Sequence, residues 1–191
     1  MNRAPSYRAV IVPVGTNSRN YLKTSWSWGR DYSVMTIESR LERLEDIEEI
    51  KQLKAKYCRF CDEGYDPDGI AGLFTEDGIW DGGRTFGVAE GRAGIRRHFE
   101  GAGSRISIAR HQVMNPIIEV NGTSATGHWL LFQPCTDATS GEAVWLAATY
   151  NDQYVKSDGA WLIDHLSIDV AFFSPYDKGW AEQQFLSGRT P

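Results

Sequence analysis

The run Lys56–Gly64, "KYCRFCDEG", gathers four side chains that can carry chemistry. Two are thiols, Cys58 and Cys61, at Cys-x-x-Cys spacing; the others are Tyr57 and Asp62, five residues apart. A thiol pair at that spacing serves a metal or a redox cycle. A structural zinc needs about four ligands, and the chain has no second Cys/His pair of suitable spacing. A thioredoxin-type pair opens a helix after a strand, whereas this pair falls at a helix end. The thiols are therefore read as packing residues. At ~100° per residue, Ile47, Ile50, Leu53, Tyr57, Phe60 and Cys61 form one apolar stripe, with Cys58 on its flank. Asp62 is harder to place. It sits in the last turn of the helix, where the macrodipole disfavours negative charge. Either it is a solvated surface acid or it is partly buried and needs a partner.

Four histidines are candidate partners. His98, in the basic helix text "RRHF", is expected in solvent. His111 opens a strand in "ARHQVMNP". His128 ("TGHWLLF") and His165 ("IDHLSID") fall in mid-strand. Strand side chains alternate between faces, so each histidine points into or away from the concave side of a sheet, and periodicity leaves both open. No Gly-rich phosphate loop, nucleophile elbow or HExxH motif occurs. No nucleotide, flavin, metal or other cofactor is expected.

The elements that must position these groups divide at Met35. Residues 1–34 are rich in Arg, Ser, Asn, Tyr and Trp and lack a sustained period. They are read as an extension ahead of a natural start at Met35, or as an arm that packs on a neighbouring subunit through Trp26 and Trp28. Residues 35–191 form the domain proper. There, Thr36 or Ser39 caps a long helix that Gly64 ends. A second helix is predicted over Pro67–Phe74, with Pro67 near its start, and a third over Glu90–Gly101. A short strand carrying Trp80 lies between them. Strands then follow at about Arg110–Val120, Thr123–Cys135, Ala143–Lys156 and Ala160–Phe173, with hairpin signals "VNGTS" and "KSDGA". Three helices before a long meander predict an α+β domain, with helices on one face of a curved antiparallel sheet.

Composition narrows the partners. The 191 residues are 41% hydrophobic, enough apolar material for one sizeable core. A net charge of −5 argues against nucleic acid or an anionic membrane surface as the main partner. No apolar run approaches the ~18 residues of a membrane-spanning helix. "AVIVPVG" is short, broken by Pro13 and lacks a following cleavage site, so no signal peptide is read. Three cysteines make no paired framework, and reduced thiols in the cytoplasm are the default.

The runs "IKQLKAKYCRFCDEGYDPDGIAGLFTEDGIWD", "EGRAGIRRHF", "HQVMNPIIEVNGTSATGHW" and "YNDQYVKSDGAWLIDHLSIDVAFFSPYDKGWA", in this order, resemble the SnoaL-like branch of the nuclear transport factor 2-like superfamily. The resemblance covers about residues 36–182. It implies a cone, in which the curved sheet wraps around three helices and leaves a deep pocket. It also implies an enzyme that works without cofactor, like scytalone dehydratase, lindane dehydrochlorinase or bile acid dehydratase. Asp62 matches the family's aspartate near the end of the first helix. His111 matches the histidine that opens a strand, with the H-x-x-x-N spacing kept by Asn115. Tyr57 matches the tyrosine of the bile acid enzyme. The resemblance thus implies His111 as base, Asp62 as the group that orients it and Tyr57 as proton or hydrogen-bond donor. Trp80, Trp129, Trp145, Tyr150 and His165 are expected around a small hydrophobic, aromatic or polycyclic substrate. Where scytalone dehydratase has a second histidine, this chain has Cys135. The function implied is a cofactor-free lyase acting by elimination or deformylation. The alternatives are a ring-ketone isomerase and a non-catalytic ligand carrier or dioxygenase-small-subunit-like protein. A homo-oligomer is implied, a trimer rather than a dimer.

Overall fold

The structure, a computed structural model, describes residues 36–187. The readings for residues 1–34, including Trp26 and Trp28, lie outside the described residues. Helix α1 (Ile37–Asp62) starts where Thr36 Oγ1 accepts the Ser39 N–H at 3.2 Å. The Ser39 hydroxyl donates back to the Thr36 carbonyl at 3.0 Å. A cap of this kind contributes about 1 kcal/mol. The far half of α1 buries Ile50, Leu53, Lys54, Tyr57, Cys58 and Cys61. Cys58 is thus inside the stripe rather than on its flank. The helix stops because Gly64 and Tyr65 turn left-handed, at φ +105° and +61°.

Helix α2 (Pro67–Ala71) is capped by the Asp66 carboxylate, which accepts the Asp68 N–H. It is shorter than the predicted Pro67–Phe74, because Phe74 leaves the helix and enters the sheet fully buried. Then come β1 (Phe74–Asp81), α3 (Gly83–Phe86), β2 (Val88–Glu90) and α4 (Gly91–Glu100). A 3-10 turn at Ala102–Ser104 leads into β3 (Ile106–Ala109) and β4 (Gln112–Asn121). The long strands β5 (Ser124–Asp137), β6 (Ala143–Ser157) and β7 (Ala160–Pro175) follow, and α5 (Gly179–Glu182) comes last. Asp158 and Gly159 both take positive φ, as a type I′ hairpin turn requires.

The seven strands form one curved, unclosed sheet in the order β2-β1-β7-β6-β5-β3, with β4 also paired to β5. The α+β class expected from the sequence is present. One pairing departs from it: β1 runs parallel to β7. Two-residue periodicity carries no information on strand direction, and a parallel pair needs a long crossover rather than a hairpin. Bulges between Ala147/Ala148 and Gln153/Tyr154 add local twist. Buried positions alternate strictly along β5, with Trp129, Leu131, Gln133 and Cys135 on one face. Along β6 the same holds for Leu146, Ala148, Tyr150, Asp152 and Tyr154. That face meets the helices and carries the core. No described helix is long and apolar enough to cross a membrane.

Candidate active site

Asp62, the last residue of α1, faces His111, the residue just before β4. His111 Nδ1 lies 2.7 Å from Asp62 Oδ1. The His111 backbone N–H also donates to both carboxylate oxygens, at 3.0 and 3.2 Å. Arg110 Nη1 donates to the Asp62 backbone carbonyl at 3.2 Å, which satisfies a helix-end acceptor beside the carboxylate. The two side chains are only 7% and 21% exposed, for His111 and Asp62 respectively, so water competes weakly for their contact. A carboxylate accepts only, so Nδ1 carries the proton in this bond and neutral His111 keeps its lone pair on Nε2. Nε2 has no hydrogen-bond partner among the described residues, and the ring lines a cavity.

That cavity has a volume of about 120 Å³. Tyr57, Trp80, His98, Phe99, His111 and Tyr150 form much of its wall. Tyr57 is buried, and its oxygen accepts the Trp80 indole N–H at 2.8 Å. The phenol's own proton is within hydrogen-bonding reach of the Cys61 thiol, a weak acceptor that a substrate oxygen would displace. Burial pushes that phenol well above its ordinary range, so it remains neutral and acts as a donor. The Trp80 ring passes over Gly82, where a Cβ would come within 2.6 Å of it. Tyr150 is equally buried, and Lys54 Nζ sits 3.3 Å from its ring centroid.

Of the residues expected around the substrate, Trp80 and Tyr150 line the cavity and three others do not. Trp129 is on the inner face but is turned toward Tyr154, whose hydroxyl accepts its indole N–H at 3.2 Å. Trp145 is on the outer face, packed against Phe132 and Tyr176. His165 pairs in register with the exposed Gln153, also on the outer face. Its Nε2 is buried without a hydrogen-bond partner. His98 corrects an expectation in the other direction. It is half-buried rather than solvated, with its ring 4.4 Å from Trp80 between centroids. Burial, then the nearby Arg105 charge, hold its pKa below the usual histidine value, which favours the neutral ring.

The sequence reading missed a buried network beside the cavity. Lys54 Nζ donates to Asp152 Oδ2 at 2.9 Å, and the Tyr154 hydroxyl donates to the same oxygen at 2.7 Å. It also missed Gln133, a buried carboxamide on the cavity wall. Signals existed for each. Lys54 is four residues from both Ile50 and Cys58 on the apolar stripe, and Asp152 and Gln133 fall on the buried phase of their strands.

The cysteines are free and buried, and Cys61 lines the cavity. Burial pushes the Cys58 thiol up to about 11 and Cys61 well above its ordinary value. Native protein at about pH 8 is therefore expected to react with an aromatic disulfide reagent at less than one thiol per chain, and unfolding should release all three. Prompt labelling of two thiols in the native state would contradict this burial. A thiol whose folded pKa lies above its unfolded one favours the folded state less as pH rises. Its contribution is complete below the thiol's ordinary value of 9.0 and fades as pH approaches about 11.

The described residues thus form a cone-like α+β domain with a carboxylate-held imidazole on its cavity wall. Residues 42–167 match the SnoaL-like domain family, and the chain belongs to it, within the nuclear transport factor 2-like superfamily. A comparison with curated protein sequences returned no significant match. Solved structures share the fold. A protein of unknown function from Mycobacterium tuberculosis is 28% identical, with a TM-score of 0.62 over 70% of this chain and 76% of the other. A candidate scytalone dehydratase of Novosphingobium aromaticivorans is 23% identical, at TM-score 0.64 over 78% and 97%. A hexachlorocyclohexane dehydrochlorinase of Novosphingobium barchaimii is 20% identical, at TM-score 0.66 over 80% and 99%.

Proposed function

We propose that this protein is a cofactor-independent lyase that acts on a small hydrophobic ring compound by acid–base elimination. The observation that carries the reading is the 2.7 Å Asp62–His111 contact, which leaves the free ring nitrogen on the wall of a largely apolar cavity. Nε2 takes a proton from a substrate carbon. The C–H electron pair forms the new double bond, and the leaving group departs from the adjacent carbon. Asp62 holds the ring and stabilises the imidazolium. Tyr57, held neutral by burial, donates a hydrogen bond to negative charge that develops on a substrate oxygen. Similarity of fold to a dehydratase and a dehydrochlorinase is consistent with this chemistry.

Size narrows the substrate. A closed cavity of about 150 Å³ accepts benzene. One of about 120 Å³ suits one ring rather than a polycyclic body, with any larger substituent projecting through the mouth. A second reading, an isomerase that shifts a double bond in a ring ketone, is favoured by the same Tyr57 donor, because both reactions pass through an enolate.

The test is a panel of single-ring β-hydroxy ketones incubated with the protein in deuterated water, without added cofactor. A lyase removes the proton beside the carbonyl and releases water, leaving an unsaturated ketone, and deuterium enters recovered substrate only as far as the abstraction reverses. An isomerase exchanges the proton and releases no fragment. Absence of both exchange and release across the panel would defeat the acid–base reading and favour a ligand carrier.

A further inference from the structure

Arg105 is exposed and lines the cavity, which places its guanidinium at the mouth. Other arginines are paired: Arg59 with Glu63, Arg92 with Glu76, and Arg96 with Asp68. Arg105 has no carboxylate partner among the described residues. Its side chain donates to the backbone carbonyl of His98, at 3.1 Å through Nη2. This bond holds the guanidinium at the end of α4 and leaves its remaining N–H groups unpaired. A Cβ at Gly101 would be 3.1 Å from Nη1, a contact that a shift of a few tenths of an ångström relieves.

Its field acts on the cavity. The Arg105 charge opposes protonation of His98 and favours ionisation of Tyr65, and both side chains are on the wall. Among the described residues, no aspartate or glutamate lines the cavity. The nearby Asp62 carboxylate is taken up by His111. Further in, the Gln133 carboxamide, 2% exposed, lines the cavity wall and offers polar atoms to a bound molecule.

We infer that the cavity takes a single-ring carboxylate, with the anion on Arg105 at the mouth and the ring between Trp80 and Tyr150. The inference rests on the cavity being the substrate site proposed above. It adds the sign of the substrate's charge and the residue that reads it. A planar guanidinium with free N–H groups matches a carboxylate through paired charge-assisted hydrogen bonds, and a neutral amide cannot match both.

The experiment compares benzoate with benzamide, nearly identical in shape and different in charge, by isothermal titration or Trp fluorescence. Benzoate is expected to bind about tenfold more tightly at low salt. Arg105→Gln should erase the difference by weakening benzoate alone. Arg97→Gln, an exposed cation on α4, should leave it unchanged and so exclude a general charge effect. Equal affinities, no benzoate binding up to about 20 mM, or a preference that survives in Arg105→Gln would overturn the inference. The binding readout is independent of turnover. A benzoate preference in a protein that turns over no compound of the panel, or turnover without the preference, shows which of the two proposals has failed.

Discussion

Replacing His111 by alanine is expected to lower kcat by about 10²–10⁴-fold with a substrate that the wild-type protein turns over. Among the described residues, the variant loses the cavity-lining imidazole whose other ring nitrogen a carboxylate holds. Asp62 keeps a partner in this variant, because the backbone N–H of residue 111 donates to it whatever the side chain. The fold should therefore survive, and the loss should appear in rate rather than in melting temperature. Asp62→Asn tests the other half of the pair. The amide is nearly isosteric but neutral, so it cannot stabilise an imidazolium, and its NH₂ can turn toward Nδ1 and favour the wrong tautomer. A kcat loss of similar order is expected, with KM changed far less. A fall of under about threefold in both variants would remove these residues from the reaction.

The second large effect concerns stability. Asp152 is buried with Lys54 on Oδ2, and its other oxygen has no partner. Removing the cation by Lys54→Met leaves a buried carboxylate with only the Tyr154 hydroxyl to hold it. The expected cost is about 3–5 kcal/mol, seen as a Tm drop of about 10 °C or more. Asp152→Leu strands the ammonium against Tyr150 and should cost as much. The double variant removes both charges and should recover most of the loss, because an apolar pair of similar volume carries no desolvation penalty. Urea denaturation of the four proteins measures the coupling. Additive losses would show that the two groups do not share one interaction.

These two predictions also mark where linear text is informative. The length of α1 was legible because Thr36 caps it, Gly64 ends it and the spacing of Ile50, Leu53, Tyr57 and Cys61 is helical. The hairpins were legible in Asn121-Gly122 and Asp158-Gly159, where local backbone needs select the residues. The Tyr57, Asp62 and His111 set came from resemblance, since Asp62 and His111 are 49 residues apart and no local rule joins them. The parallel pairing of β1 with β7 was not legible, because side-chain alternation is the same in both directions.

What the sequence determined by itself is local: capped helices, turns and the two-residue alternation of the strands. The tertiary structure decided which face of the sheet is concave. That choice turned Gln133 and Tyr150 inward, sent Trp145 and His165 outward, and drew His98 and Arg105 to a cavity that neither one's sequence context announces. The reason is physical. Periodicity sets which residues share a face, whereas curvature and the packing of α1 and α4 set which face closes around empty space.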